Sequence, residues 1–225
     1  MGKHILLAGG SGEIGRRLLQ NLIAHNEVEQ IHLINRSHNN VTSPKVIQHN
    51  IDFKHLNSLN LDLKFDMAYC CLGSTIKKAG SKAAFEQIDL HYVESFATLA
   101  KHHKCDRLAV ISSVGAKAGN NNFYLHTKGR MEEALMAMQW PTLWIIRPGL
   151  LTGKRREFRL SERLGGAAMK VLNPLLVGKM ASFRSISMEK VAKSMCGLVS
   201  VTGNGTAILH NDQILKACSV DTQST

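Results

Sequence analysis

Short runs rich in apolar residues alternate along this chain with longer stretches whose apolar residues recur at helical spacing. The runs lie in Ile5–Ala8, Gln30–Ile34, Lys45–Ile51, Met67–Leu72, Leu108–Ile111, Thr142–Ile146 and Thr206–Leu209. Runs of this length bounded by glycine, serine, proline or asparagine predict strands, those at Ile5–Ala8, Met67–Leu72 and Leu108–Ile111 buried ones. Between them, Ile14, Leu18, Leu19, Leu22 and Ile23 keep a helical period, as do Phe85, Ile88, Tyr92, Phe96 and Leu99 within Ser81–Lys104. Further helices are predicted from Asn121 or Asn122 onward and over Ser187–Val199. Strands alternating with helices predict an α/β fold, a doubly wound, mostly parallel sheet of six or seven strands. At 225 residues one domain is expected, over 1–218, with a polar, flexible tail over 219–225.

The first strand and first helix are joined by glycines. Lys3–Gly15 reads KHILLAGGSGEIG, so Gly10, Gly12 and Gly15 satisfy G-x-G-x-x-G and Gly9, Gly12 and Gly15 satisfy G-x-x-G-x-x-G. A strand entering and a helix leaving such a loop bring bare backbone and a helix N-terminus to a dinucleotide pyrophosphate, the arrangement of a Rossmann-like domain. The same pattern also serves a plain strand-to-helix turn. The candidate contacts in this loop are Gly9, Ser11, Gly12, Glu13, Ile14 and Gly15. About 20 positions past the glycines, an acidic residue would receive a ribose 2′-hydroxyl, whereas arginine accommodates a 2′-phosphate. Asn35 and Arg36 stand there with no carboxylate, so NADP(H) is expected over NAD(H). Asp52 and Phe53, at the end of the third strand, are candidates to flank an adenine, although Asp52 suits an ordinary helix cap equally well. Leu72 and Gly73, after the fourth strand, are candidates for close backbone approach.

Composition narrows the context. Five cysteines, at 70, 71, 105, 196 and 218, include no C-x-x-C pair and support no disulfide framework. Neither a signal segment nor a run long enough to span a bilayer is evident, so a cytoplasmic protein with no membrane association is expected. Cys70 and Cys71 would face opposite sides of a strand as small core residues. The formal charge of +11 favours an anionic partner. The basic residues are spread along the chain and aromatics are 5%, so no specific nucleic-acid binding is expected. Neighbouring His102 and His103 diverge on a helix and no H-E-x-x-H occurs, so no metal is expected.

Candidate chemistry gathers after the fifth strand. Ser112 and Ser113 follow it, and Tyr124 and Lys128 stand four apart on the next helix, which places phenol and ammonium on one face. An ammonium beside a phenol favours its ionised form, as acid–base chemistry near neutrality requires.

Taken with the glycine loop, these residues resemble the short-chain dehydrogenase/reductase superfamily. More narrowly, Gly9–Gly15, Cys70–Ser74, Ser112–Ala116, Tyr124–Gly129 and Arg147–Gly149 are similar to its atypical, NAD(P)H-binding branch that includes the Tat-interacting-protein-like oxidoreductases. The likeness spans about Lys3 to Met180. The resemblance implies a cofactor lying across the carboxyl ends of the strands and a Ser-Tyr-Lys constellation. Tyr124 would be the acid or base, Lys128 would hold the nicotinamide ribose, and Ser113, rather than Ser112, would orient a substrate carbonyl. Where many relatives carry an asparagine for a proton relay, this chain offers Asp89. Pro148, in the turn after the sixth strand, joins the implied cofactor contacts, and a segment of about 150–180 would cover the substrate; Arg155 within it would reach the cofactor phosphate or an anionic substrate, unless the basic residues there form a solvated helix face. The expected activity is NADP(H)-dependent oxidoreduction of a small carbonyl or alcohol by a monomer or homodimer. The alternative is a catalytically silent NADP(H)-binding regulator or scaffold.

Overall fold

The computed structural model describes residues 2–153 and 182–220. β1 (Lys3–Ala8), β2 (Val28–Asn35), β3 (Val46–Asn50), β4 (Met67–Cys70), β5 (Arg107–Ile111), β6 (Thr142–Ile146) and β9 (Gly205–Leu209) form one seven-stranded sheet. Its order is β3-β2-β1-β4-β5-β6-β9, and every adjacent pair is parallel. The strand order reverses between β1 and β4. Ligands of open α/β sheets bind at this reversal, beyond the carboxyl ends of the strands. β7 (Leu151–Thr152) and β8 (Ile186–Ser187) form a separate two-residue parallel pair that the sequence pattern does not signal.

Alternate residues of each central strand feed two cores. Ile5 and Leu7 pack with Leu18, Leu22 and Met195 on the face covered by α1 (Glu13–Ala24) and α6 (Met188–Gly197). Leu6 and Ala8 pack with Phe96, Leu108 and Met131 on the face covered by α4 (Tyr92–His102) and α5 (Phe123–Ala137). A last helix, α7 (Asn211–Val220), extends through the start of the expected tail, and 221–225 lie outside the described residues. Arg155 and most of the expected covering segment, 154–181, lie outside them too. No helix among the described residues is long and apolar enough to cross a membrane.

The helix expected over Ser81–Lys104 is divided. Thr75 caps a short turn, α2 (Ile76–Ala79), which Gly80 ends in the left-handed region at φ +92°, and Ser81 then caps α3 (Lys82–Glu86). A π turn over Gln87–His91 joins α3 to α4, with the Tyr92 N–H reaching back to the Gln87 carbonyl. The wider turn shifts the register so that adjacent Asp89 and Leu90 are both buried. Hydrophobic spacing registers Leu90 as core and gives no hint of the carboxylate beside it.

Beneath the β2–β3 edge lies a histidine cluster that no motif announces. The His49 and His32 rings stack at 5.0 Å, joined by a 3.0 Å hydrogen bond, and His32 also meets Gln30 at 2.9 Å. Burial, reinforced by His49, His4 and His103, pushes His32 down from 6.5 to about 4. Burial lowers His49 as well. The unfolded chain therefore binds the His32 proton below about pH 6.5, whereas the folded protein refuses it until about pH 4. Stability from this group should be complete above pH 6.5 and decline toward pH 4 by about 2–3 kcal/mol. Urea midpoints between pH 7.5 and 4.5 check this. His32→Leu should flatten the decline, and an unchanged slope would remove His32 as its cause.

Candidate functional site

Each loop glycine has a distinct task. Gly9 leaves β1 at φ +82°, where a side chain is strained, and its carbonyl accepts the Gly12 N–H at 3.0 Å. A Cβ on Gly15 would be driven into that same carbonyl, and one on Gly10 would press into Leu33. Those two glycines serve packing. Gly12 is the N-cap of α1 and offers no capping side chain, so the first-turn N–H groups face outward unclaimed by one. A Cβ on Gly12 would stand 3.2 Å from the Gly9 oxygen, at the wall of an open cleft.

That cleft, of about 330 Å³, lies between the loops that follow β1 and β4. Gly9, Ser11 and Gly12 form one wall, and Leu72, Gly73 and Ser74 the other. Asn35 and Arg36 line its outer end. The Asn35 amide is buried and donates to Gln48 at 3.3 Å, so its side chain braces the loop. Arg36 is exposed and makes no hydrogen bond or ion pair among the described residues. Phe53 is buried, lines the cleft and packs against Tyr92 at 5.5 Å between centroids. Asp52 does not line it: the carboxylate accepts the Lys54 N–H at 3.0 Å and caps a 3-10 helix over Phe53–Ser58. Glu13 and Ile14 also stand away from the cleft. Glu13 pairs with Arg17 at 2.7 Å, and Ile14 joins the α1 core. Lys78, Ile88 and Tyr92 line the cleft without having been singled out. Tyr92 reads as helix core in the sequence, and Lys78 as one basic residue among many.

On α5 the sequence places Tyr124, Lys128 and Glu132 four apart on one face, and the structure buries the latter two at 3% and 1% exposure. Each has a partner. Lys128 Nζ lies 2.8 Å from the fully buried Asp89 Oδ1 and 3.3 Å from the Ile111 carbonyl. Asp89 Oδ2 accepts the Ser74 N–H at 2.8 Å. Burial alone would lower the Lys128 pKa, but the Asp89 carboxylate and the nearby Tyr124 outweigh it and hold the ammonium above its usual range. Removing one partner of such a pair costs about 3–5 kcal/mol, because the other is left buried and uncompensated. Glu132 accepts from the Ser112 hydroxyl and from Arg147, with Arg147 Nε at 2.9 Å. The Ser112 hydroxyl is therefore committed to Glu132. Ser113 is half-buried, and among the described residues its hydroxyl makes only a 3.3 Å contact with the Val114 carbonyl. Tyr124 is half-buried with its ring 5.4 Å from that of Phe85.

The two halves of the site meet at Gly73. A Cβ there would stand 3.4 Å from Asp89 Oδ1 and 3.7 Å from Lys128 Nζ. The inner end of the cleft thus abuts the ion pair that shares a helix with Tyr124. Pro148 is buried outside the cleft, and its carbonyl accepts the Val114 N–H at 3.2 Å. Gly149 donates to Asn211 at 2.9 Å, which in turn donates to the Arg184 carbonyl at 2.6 Å, tying Gly149 to the backbone just before β8. Burial pushes the Cys70 thiol up to about 12 and raises Cys71 further, so neither offers a thiolate near neutrality. Among the described residues no group of three histidine, cysteine or carboxylate side chains could hold a metal.

The rat protein HTATIP2 is 31% identical to this chain over 223 residues, covering 95% of this chain and 88% of its own length. The chain belongs to the HTATIP2 family. No family model matches it. Protein FMP52-1, mitochondrial, of Scheffersomyces stipitis is 28% identical over 171 residues, 73% of this chain and 75% of that protein. Among solved structures, the Bordetella bronchiseptica enzyme WbmG in complex with NAD gives a TM-score of 0.68 at 14% identity, over 100% of this chain and 79% of that one. The human epimerase family protein SDR39U1 with NADPH gives 0.62 at 17%, over 92% and 74%. The fold of this HTATIP2-family chain is accordingly the Rossmann-like fold of NAD(P)-binding dehydrogenases and epimerases, as the motif resemblance implies. The expected cytoplasmic location does not stand, because several fungal relatives are named mitochondrial.

Proposed function

We propose that this HTATIP2-family protein is an NADP(H)-dependent oxidoreductase of a small carbonyl or alcohol. The observation that carries the reading is the cleft itself, which runs from Arg36 past the Gly9–Gly12 loop to Gly73, behind which the Lys128 ammonium is buried. The residues present fit a dinucleotide. Gly12 leaves open the space that a side chain would fill, beside the uncapped N-terminus of α1, where a pyrophosphate is stabilised. Arg36 would hold a 2′-phosphate and Phe53 would border the adenine, with Lys128 directed to the nicotinamide ribose. NADP(H), when bound, supplies or accepts the hydride. Tyr124 would exchange the proton with the substrate oxygen, and Ser113, whose hydroxyl is not committed to Glu132, would orient that oxygen.

Arg36→Ala tests the cofactor choice. A 2′-phosphate beside an arginine gains charge-assisted hydrogen bonds of about 1.5–3 kcal/mol. The variant should weaken NADPH by about 10- to 150-fold and leave NADH nearly unchanged by calorimetric titration. Equal losses would mean that Arg36 supports the loop or the adenine and does not read the phosphate.

The second reading, a dinucleotide-binding regulator without turnover, is favoured by the Asp89 carboxylate that already occupies Lys128. The two readings divide on whether a substrate is turned over at all. The names of the fungal relatives support a mitochondrial location for this protein.

A further inference from the structure

The buried pair Asp89–Lys128 has a feature that its burial alone does not explain. An ammonium carries three N–H donors. Lys128 donates one of them to the Ile111 carbonyl and holds Asp89 Oδ1 at 2.8 Å as an ion pair, which leaves donor capacity for a further acceptor. The Asp89 carboxylate is divided as well, Oδ1 to the ammonium and Oδ2 to the Ser74 N–H. Ser74 and Gly73 are both wall residues of the cleft. One carboxylate therefore fixes two things that a ligand in the inner cleft would meet, the backbone of the wall and the direction of the remaining ammonium donor. The π turn is what sets it there, by turning Asp89 inward beside Leu90.

We propose that Asp89 is a positioning residue for the nicotinamide-ribose half of the cleft, acting through Lys128 and through the Gly73–Ser74 backbone. The proposal rests on the dinucleotide reading of the cleft and adds a division of labour to it. The adenine half, bordered by Arg36 and Phe53, is held by other elements and does not depend on Asp89. Asp89→Asn keeps an acceptor for the Ser74 N–H and removes the charge that aims the ammonium.

The test compares whole dinucleotides with their adenine halves. NADPH, NADH, 2′,5′-ADP and ADP are titrated calorimetrically into wild type and Asp89→Asn. The variant should bind both whole dinucleotides at least about 10-fold more weakly, the loss of one hydrogen bond to a charged group, while 2′,5′-ADP and ADP keep their affinities within about 3-fold. A merely structural role would weaken all four together. Should Asp89→Asn fail to fold, Asp89→Glu keeps the buried charge paired, displaces the carboxylate by one methylene, and carries the same expectation. Wild-type affinity for the whole dinucleotides in the folded variant, or equal loss of fragments and parents, overturns the proposal. A wild-type protein that binds none of the four overturns instead the dinucleotide reading on which it rests.

Discussion

Tyr124→Phe should bind NADPH as tightly as the wild type and lose at least about 100-fold of any reductase rate, because a positioned general acid or base contributes typically 10²–10⁴-fold. The substitution is well suited to the site. The Tyr124 ring packs on Phe85, a contact that phenylalanine preserves, and the Tyr124 hydroxyl makes no hydrogen bond among the described residues. Nothing in the fold should therefore be lost with it. The Asp89–Lys128 pair would remain intact, so a fall in rate with unchanged thermal stability isolates the proton step. Wild-type turnover by Tyr124→Phe, with a substrate established on the parent enzyme, would remove the phenol from the mechanism and strengthen the regulator reading.

Gly12→Val should abolish dinucleotide binding, weakening NADPH by more than about 100-fold while the protein stays folded. The branched side chain would occupy the space beside the α1 N-terminus and displace a pyrophosphate from its backbone N–H groups. Two charge-assisted hydrogen bonds at about 1.5 kcal/mol each already exceed that factor. Gly12 suits this experiment better than its neighbours. A Cβ there meets the Gly9 oxygen at 3.2 Å, a tight contact that small adjustments relieve, and the Gly12 φ of −72° is open to valine. At Gly15 the Cβ would collide with the Gly9 carbonyl and threaten the turn itself. Far-UV circular dichroism with NADPH titration checks both halves of the expectation. Unchanged affinity in a folded variant would reduce the loop to a strand-to-helix turn.

The middle of the sheet was readable from the chain because β1, β4, β5 and β6 are covered on both faces, so each appears as an apolar run that needs no partner to recognise. The glycine loop was readable for a similar reason: its backbone task confines it to a short, local pattern. The polar half of the site was not. Lys128 and Asp89 are 39 positions apart, and their pairing depends on a π turn that leaves no mark on hydrophobic spacing. Glu132 reads as a solvated charge on a helix, yet it is buried because Ser112 and Arg147 converge on it from the ends of two strands. α5 accordingly buries charged residues on the face that packs inward, which spacing rules assign to apolar side chains. Asp52 illustrates the converse. It stands at the carboxyl edge of the sheet, as a cofactor contact would, and spends its carboxylate on a local cap. His32 and His49 stand on neighbouring strands and His103 just after α4, so their proximity is a property of the assembled fold alone.

The central claim is that one dinucleotide spans the β1–β4 crevice, from Arg36 to the helix that carries Tyr124. A crystal structure of the wild-type protein grown with NADPH tests it most directly. The expected result is the 2′-phosphate against Arg36, the pyrophosphate over the Gly9–Gly12 loop, and the nicotinamide ring beside Gly73 with its reactive face toward the Tyr124 hydroxyl. A crevice without nucleotide at saturating NADPH, or a nicotinamide directed away from Tyr124 and Lys128, would contradict it.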